Sequence, residues 1–331
     1  MATSDVRVWT GTEWVSLRGP AGPTGPAGPS GSSGDVAATL IPGGRLSSSP
    51  TDANGQGVNN STLYYVAHTS NRIALYDGSA WVMRTWPSAS SPVLDFHSPS
   101  APTADVVSDV FARWENNAVK LVRVDWPEPF TARSVNLEVK DGIYTGASYE
   151  DRYLGTVFYA KAFNTVGATI ASQGVWNMYH RLRRLANARP LYDPSATTTV
   201  SYTMSPTTWS PMGGSAASNT ITAVFGLPTA VMLGTTLHAQ AGQNEFQSGI
   251  LYRHGNTAAY TDNPAIAMAG AMANQDVRGM TGIDMYHAAA GLHSFQYVGR
   301  NAATANATVY GGGIHVGKSC PASQLWGTWH A

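Results

Sequence analysis

Glycine occupies every third position from residue 19 to residue 34, and this period constrains the fold more than any other feature of the chain. The repeat consists of Gly19, Gly22, Gly25, Gly28, Gly31 and Gly34. In a collagen triple helix three chains wind around one axis where only a hydrogen side chain fits, and proline presets the polyproline II backbone. Proline follows the first four glycines, so the pattern predicts a triple helix and a homotrimer. The alternative is a flexible linker, which needs neither the strict spacing nor the prolines.

The predicted triple helix, residues 19–36, is a short rigid spacer. At roughly 3 Å of rise per residue it spans about 50 Å. Six triplets are too few to hold three chains together, so we expect folded regions on either side to supply the trimer contacts.

Composition narrows the class of protein. The 331 residues allow two or three domains, and a hydrophobic share of 43% is enough for a sizeable core. Charged residues make up only 12%, about half the usual share. Basic and acidic residues balance at 20 each, which argues against nucleic acid as a partner. Low charge with much glycine, alanine, serine and threonine favours packed β-structure and oligomer interfaces.

The sequence predicts no enzyme activity, no cofactor and no metal site. The acidic residues are scattered, and neither a G-x-S-x-G turn nor an H-E-x-x-H motif occurs. Cys320 is the only cysteine, which we interpret as a small buried residue. A metal on a three-fold axis remains an alternative, with His315 as its candidate ligand. No signal peptide or run of about 18 apolar residues is visible, so we expect synthesis in the cytoplasm without membrane insertion.

Two similar patterns predict β-hairpins with glycine turns. The first is "VWTGTEWVSL" in the N-terminal segment, residues 1–18, and the second is "ALYDGSAWVM" in a connector with a small β-unit, residues 37–90. β-favouring arms around Thr-Gly or Asp-Gly are a strong hairpin signal. The tryptophans, Trp14 and Trp81, are interpreted as hairpin cores, with sugar stacking as the alternative.

The middle segment, residues 91–198, is predicted to be α+β with a helix near residues 175–188. The helix rests on near-helical spacing of the apolar residues Val175, Trp176, Tyr179, Leu182 and Leu185, ended by Pro190. Its far side would be basic, with Arg181, Arg183, Arg184 and Arg189. We favour a solvated face or inter-chain ion pairs there over an anion-binding site.

The C-terminal segment, residues 199–331, is predicted to be an antiparallel β-sandwich head, jelly-roll-like in particular. Short apolar runs alternate there with turn residues at spacings of about 8–12 residues. The fold class is therefore mainly β, with an N-terminal hairpin, a short collagen-like triple helix, small β-units and a sandwich head.

The order of these features resembles bacteriophage virion fibres and minor tail proteins. A "VWTGTEWVSLRGP" head runs into "GPTGPAGPSG", and "LYDGSAWV", "RYLGTVFYAKAF" and "VWNMYHRL" follow. The resemblance implies a homotrimeric tail fibre that is attached to other virion proteins by residues 1–18 and contacts a host surface glycan or protein with its head. It implies a place on the tail or capsid surface of the virion after synthesis in the host cytoplasm.

The resemblance leaves alternatives open. The chain could be a capsid head fibre or decoration protein, or a fibre with glycan-hydrolase activity. A bacterial surface collagen-like protein is disfavoured because no export signal is seen. If the receptor is a glycan, the candidate stacking aromatics on head loops are Trp209, Tyr252, Tyr260, Tyr286 and Trp329.

Overall fold

The fold is mainly β, as the sequence predicts. The computed structural model describes residues 7–16, 40–52, 61–87, 90–97, 102–160, 165–166, 172–188, 201–204, 209–212, 219–241, 245–256, 266–271, 278–301, 307–310, 313–315, 318–320 and 324–331. None of these residues forms an α-helix, and within them there is no helix long and apolar enough to cross a membrane. The six glycines of the repeat and Tyr260 lie outside the described residues. Contacts divide the chain into two units, residues 1–39 and 40–331.

The first unit contains the predicted N-terminal hairpin. Strands β1 (Arg7–Trp9) and β2 (Trp14–Ser16) pair antiparallel, with Trp9 opposite Trp14. Gly11 has a φ of 98° in the connecting turn, a conformation that favours glycine. The backbone N–H of Thr10 donates to the carbonyl of Glu13 and closes the turn.

The second unit begins with two small sheets. Their strands are β3 (Gly44–Ser47), β4 (Thr62–Ala67), β5 (Arg72–Tyr76), β6 (Trp81–Thr85) and β7 (Val93–Asp95). One sheet has the order β3-β4-β7, and the other is the hairpin β5-β6 predicted around Asp77-Gly78. This hairpin repeats the first: Tyr76 faces Trp81, and Gly78 has a φ of 97°.

A seven-stranded antiparallel sheet forms the middle of the chain. The strands of this region are β8 (Val106–Glu115), β9 (Ala118–Asp125), β10 (Glu138–Lys140), β11 (Ile143–Thr145), β12 (Arg152–Ala160), β13 (Thr165–Val166), β14 (Ser172–Gln173), β15 (Val175–Asn177) and β16 (Arg183–Ala188). The sheet order is β10-β11-β12-β8-β9, and β13 and β15 also pair with β12. All nine residues of β12 are buried, which places this strand between two layers.

Two further six-stranded sheets contain most of the C-terminal strands. These strands are β17 (Ser201–Met204), β18 (Ser210–Pro211), β19 (Thr220–Phe225), β20 (Thr229–Ala241), β21 (Glu245–His254), β22 (Ile266–Ala271), β23 (Arg278–Ala288), β24 (Gly291–Asn301), β25 (Ala307–Tyr310), β26 (Gly313–His315), β27 (Lys318–Cys320) and β28 (Gln324–His330). The first sheet has the order β14-β19-β24-β21-β22, with β18 on β24. The second has the order β16-β28-β20-β25-β17, with β23 on β20, and β26-β27 form a separate hairpin.

The middle sheet and the two C-terminal sheets share one hydrophobic core. Phe111 and Trp176 of the middle sheet belong to the same buried cluster as Phe225, Phe295 and Trp329. A second cluster joins the small sheets to the opposite side of the middle sheet. The first cluster contains residues from both sides of the predicted boundary at position 198, among them Trp176 and Phe225.

A buried ion pair between Asp109 and Arg133 links the middle sheet to the C-terminal strands. The Asp109 carboxylate accepts hydrogen bonds from Arg133 Nε at 2.7 Å and from Thr156 Oγ1 at 2.6 Å. Arg133 also donates to the Tyr153 hydroxyl and to the carbonyl of Gly226, which follows β19. Burial raises the pKa of the Asp109 carboxyl, and the charge of Arg133 acts against that rise.

The helix predicted near residues 175–188 is wrong: β15 and β16 occupy this segment. Burial alternates in β16, where Arg184 and Ala186 are buried while Arg183 and Leu185 are exposed. This two-residue period belongs to a strand paired with β28, and the near-helical spacing arose because β15 is buried on both faces. The predicted basic helix face does not form either, because Arg183 and Arg184 point to opposite faces of strand β16.

Candidate interaction surfaces

An apolar stripe crosses the outer face of the second C-terminal sheet. The stripe consists of Leu185, Met232, Ile283, Met285 and Trp326 on four adjacent strands. Leu185, Ile283 and Met285 are exposed over 61%, 60% and 57% of their surface. Met232 and Trp326 are partly exposed. Large apolar side chains exposed on neighbouring strands make this face a candidate interaction surface.

Strand register explains why these side chains meet. Leu185 pairs with Thr328, Thr328 with Met232, and Met232 with Met285, so one row runs straight across the sheet. Cross-strand neighbours share a face, since side chains alternate along each strand. In the next row Trp326 lies over Gly234, where an added Cβ would come within 2.2 Å of the indole. Gly234 thus lets the indole lie flat on the sheet.

The stripe lacks the charges that normally keep a protein face in water. The register places Arg183, His287 and His330 at one end of this face, and no aspartate, glutamate or lysine lies on the paired rows described. Arg183 Nε reaches into the row and donates a hydrogen bond to Thr328 Oγ1 at 3.0 Å. The opposite face of the same strands carries the buried Val231, Leu233 and Trp329. Large apolar side chains therefore lie on both faces of the sheet, and those of the stripe face are the ones left exposed.

Four of the head aromatics predicted to contact a receptor lie in the described residues, and each of these is buried or partly buried. Trp329 is buried and packs edge-on against Phe225, with ring centres 5.8 Å apart, so it cannot stack on a receptor. Tyr252 and Tyr286 are partly buried and contact each other, with their ring centres 4.5 Å apart. Trp209 is partly buried beneath the guanidinium of Arg300 at 4.6 Å. The structure does not bring these residues together into one exposed surface.

A buried histidine lies beneath Tyr252. His293 Nε2 donates to the carbonyl of Ala289 at 2.9 Å, and Nδ1 accepts from the Tyr252 hydroxyl at 3.0 Å. The ring of His254 stacks on His293 at 4.4 Å. Burial and then the nearby His254 lower the pKa of His293 to about 3, so the neutral imidazole is the form that fits this site.

A second exposed surface lies where two hairpins meet. We call it the aromatic platform; it consists of Tyr76, Trp81, Lys140, Asp141 and Tyr149. The Trp81 indole N–H donates to Asp141 Oδ2 at 3.0 Å, and the Tyr76 ring lies 5.5 Å from the Trp81 ring. The Lys140 ammonium is 4.7 Å from the centre of the Tyr76 ring and 5.2 Å from that of Tyr149.

Local turn chemistry holds the platform in place. The Asp77 carboxylate accepts hydrogen bonds from the backbone N–H groups of Ala80 and Ser79 and from the Ser79 hydroxyl, which lower its pKa to about 2. Asp141 and Gly142 both have positive φ in the two-residue turn between β10 and β11. The sequence predicts the turn at Asp77-Gly78, but it does not indicate that Lys140 and Tyr149 lie beside Trp81.

Metal ligands do not cluster in the described part of the chain, where no group of three or more histidine, cysteine, aspartate or glutamate side chains could hold an ion. His315 lies on β26 and Cys320 on β27.

Comparison with known proteins does not assign the chain to a family. No family model matches it, and no curated protein matches it significantly. Among solved structures it is similar to Eiger TNF from S. frugiperda, with 7% identity over 45% of this chain and 93% of that one and a TM-score of 0.29. It is also similar to latent PorU from Porphyromonas gingivalis, with 10% identity over 69% of this chain and 20% of that one and a TM-score of 0.28. Scores this low carry no argument about fold or function.

Proposed function

We propose that this chain is a structural and adhesive bacteriophage virion protein, a homotrimeric tail fibre attached through residues 1–18. The proposal rests above all on the apolar stripe. Together with the glycine repeat, this stripe offers a surface through which copies of the chain can associate. The repeat requires three chains, and the stripe is a folded surface that three identical chains can cover.

The chemistry of the stripe favours a copy of the same chain as its occupant. Burying one leucine, isoleucine or methionine side chain contributes about 1.5–3 kcal/mol, and the stripe offers several such side chains without an acidic residue or lysine among them. Obligate homo-oligomer interfaces have this apolar character, whereas transient partners meet more polar surfaces.

The strand orders support a jelly roll as the fold of the head. From β19 to β24 the chain passes to the other sheet at every step except between β21 and β22. In each sheet, strands distant in sequence become neighbours, such as β19 beside β24 and β20 beside β28. Repeated crossing between two antiparallel sheets is typical of jelly-roll sandwiches.

The first experiment tests the trimer. Analytical ultracentrifugation of the wild-type chain is expected to give three times the single-chain mass of 35.0 kDa. The double variant Ile283→Glu, Met285→Glu should sediment as a monomer, because two buried charges per chain oppose association. Val139→Glu is the matched control, since Val139 is exposed over 58% of its surface but lies on β10. A monomeric wild type, or a double variant that remains trimeric, contradicts the proposal.

The second experiment tests the virion role. An antibody against residues 40–331 is applied to phage particles produced from the genome that encodes the chain, and the label is located by electron microscopy. Label at the tail supports a tail fibre, and label on the capsid replaces the tail assignment with a capsid fibre. Particles that carry no label overturn the virion role.

A further inference from the structure

The aromatic platform has the composition of a carbohydrate-binding surface. We infer that it binds an uncharged glycan containing hexose or N-acetylhexosamine units. This inference rests on the proposed adhesive function and names the class of receptor, and it places the contact in residues 76–149 instead of on the head loops.

Ring faces supply the apolar part of the site. Tyr149 is exposed over 37% of its surface, and Tyr76 and Trp81 are partly exposed at the end of their hairpin. The face of an aromatic ring carries partial negative charge, so it attracts the polarised C–H groups on one side of a pyranose ring. Several rings set at an angle to one another can contact successive sugar units.

The rings are held before any ligand arrives. Trp81 is fixed at its N–H by Asp141, and the buried guanidinium of Arg152 lies 5.8 Å from its ring centre. Arg152 itself donates to the carbonyls of Ala74 and Leu40 at 2.8 and 2.7 Å. Binding to a preorganised surface loses less conformational entropy than binding that must first order the side chains.

Polar groups around the rings match the hydroxyls of a sugar. Lys140 offers N–H donors between the two tyrosines, and the carboxylate of Asp141 offers acceptors beside Trp81. Glu138 accepts a hydrogen bond from the Tyr149 hydroxyl, which raises the pKa of Tyr149. A sugar hydroxyl both donates and accepts, so it can bridge neighbouring groups of this kind.

Charge decides between neutral and anionic glycans. Four carboxylates lie on or beside the platform, namely Asp77, Glu138, Asp141 and Glu150. They outnumber the three cationic groups nearby, which are Lys140, the buried Arg152 and Arg84, whose charge acts on Asp77. Arg113, whose charge acts on Glu150, is ion-paired with Asp151. A surface with excess negative charge repels uronic acids, sialic acids and phosphates. The occupant is therefore an uncharged glycan.

The test measures binding of free oligosaccharides to the full chain by isothermal titration calorimetry. The probes are triacetylchitotriose and mannotriose as neutral glycans and 3′-sialyllactose as an anionic one. We expect binding of at least one neutral probe and weaker binding of sialyllactose. Trp81→Ala should lower the affinity for the neutral probe by about tenfold or more, because aromatic anchors dominate such contacts. Trp81→Phe keeps a ring and should retain most of the affinity.

Trp14→Ala is the matched control, because Trp14 faces Trp9 across the same kind of turn in the other hairpin. Thermal melts check that each variant folds. If Trp81→Ala does not fold, Lys140→Ala takes its place as the variant that removes a platform group, and it should also weaken binding of the neutral probe. The inference is overturned if no neutral probe binds, if sialyllactose binds most tightly, or if Trp14→Ala weakens binding as much as Trp81→Ala. A trimer that labels virions but binds no neutral probe leaves the proposed function intact and removes only this inference.

Discussion

The apolar stripe and the aromatic platform are both exposed and both rich in large side chains, yet they suit different partners. The stripe is mainly aliphatic and carries no acidic residue on its paired rows. The platform combines three rings with an ammonium group and carboxylates. Exposure alone therefore does not define a partner. The two surfaces differ in their polar groups. An apolar surface with few polar groups, like the stripe, suits permanent association, whereas rings accompanied by polar groups, like the platform, suit reversible contact with a hydroxyl-rich ligand.

The strongest test of this comparison separates assembly from recognition. The Ile283→Glu, Met285→Glu chain should bind a free neutral oligosaccharide as the wild type does, because it retains the platform. On a surface densely coated with the same glycan, its apparent affinity should fall by about 10²–10⁴-fold, since one site replaces three. Surface plasmon resonance at high and low glycan density measures both quantities. Equal loss at both densities would show that the two surfaces are not independent.

A second test asks whether the regions that carry the two surfaces are one folded body. Arg133→Met leaves the buried Asp109 carboxylate without its partner, and removal of one member of such a pair costs about 3–5 kcal/mol. Denaturant unfolding should show a single transition at lower denaturant. The double variant Asp109→Asn, Arg133→Met should recover part of the loss. Two separate transitions in the wild type would contradict the shared core.

The smallest expected effect is a loss of folding stability at low pH, to which His293 contributes. The pKa of His293 is about 3 in the folded chain and 6.5 in the reference state, so the unfolded chain binds the extra proton between these values. The stability that this group contributes is present above pH 6.5 and is lost as the pH falls, with a slope of at most about 1.4 kcal/mol per pH unit. His293→Gln should flatten the decline between pH 6.5 and 3 in melts followed by circular dichroism. An unchanged decline would place the acid-sensitive group elsewhere.

How far the sequence predicts the structure depends on how local each signal is. The hairpins around Gly11 and Gly78 follow from residues within each turn, and the alternation of short apolar runs predicts the β-rich C-terminal half. The prediction of a helix near residues 175–188 failed because β16 is defined by its pairing with β28, which is far away in sequence. The burial of both faces of β15 also hid the two-residue period.

The interaction surfaces show the same limit. Trp81 is recognisable as a sugar-stacking alternative from its hairpin, but Asp141 lies sixty positions further along the chain. Trp329 looks like a candidate contact in the sequence, whereas sheet packing buries it. Strand register also places Leu185 beside Thr328 and Met232, and no motif records that row.

The position of β28 between β16 and β20 sets an order on biogenesis. A ribosome that has delivered residues up to 310 has made two strands whose common neighbour does not yet exist, so the stripe is incomplete on every nascent chain. Chains growing side by side on one messenger would therefore be unable to join prematurely through this face. Each chain would complete this sheet before its stripe could meet another copy, as the proposed assembly requires.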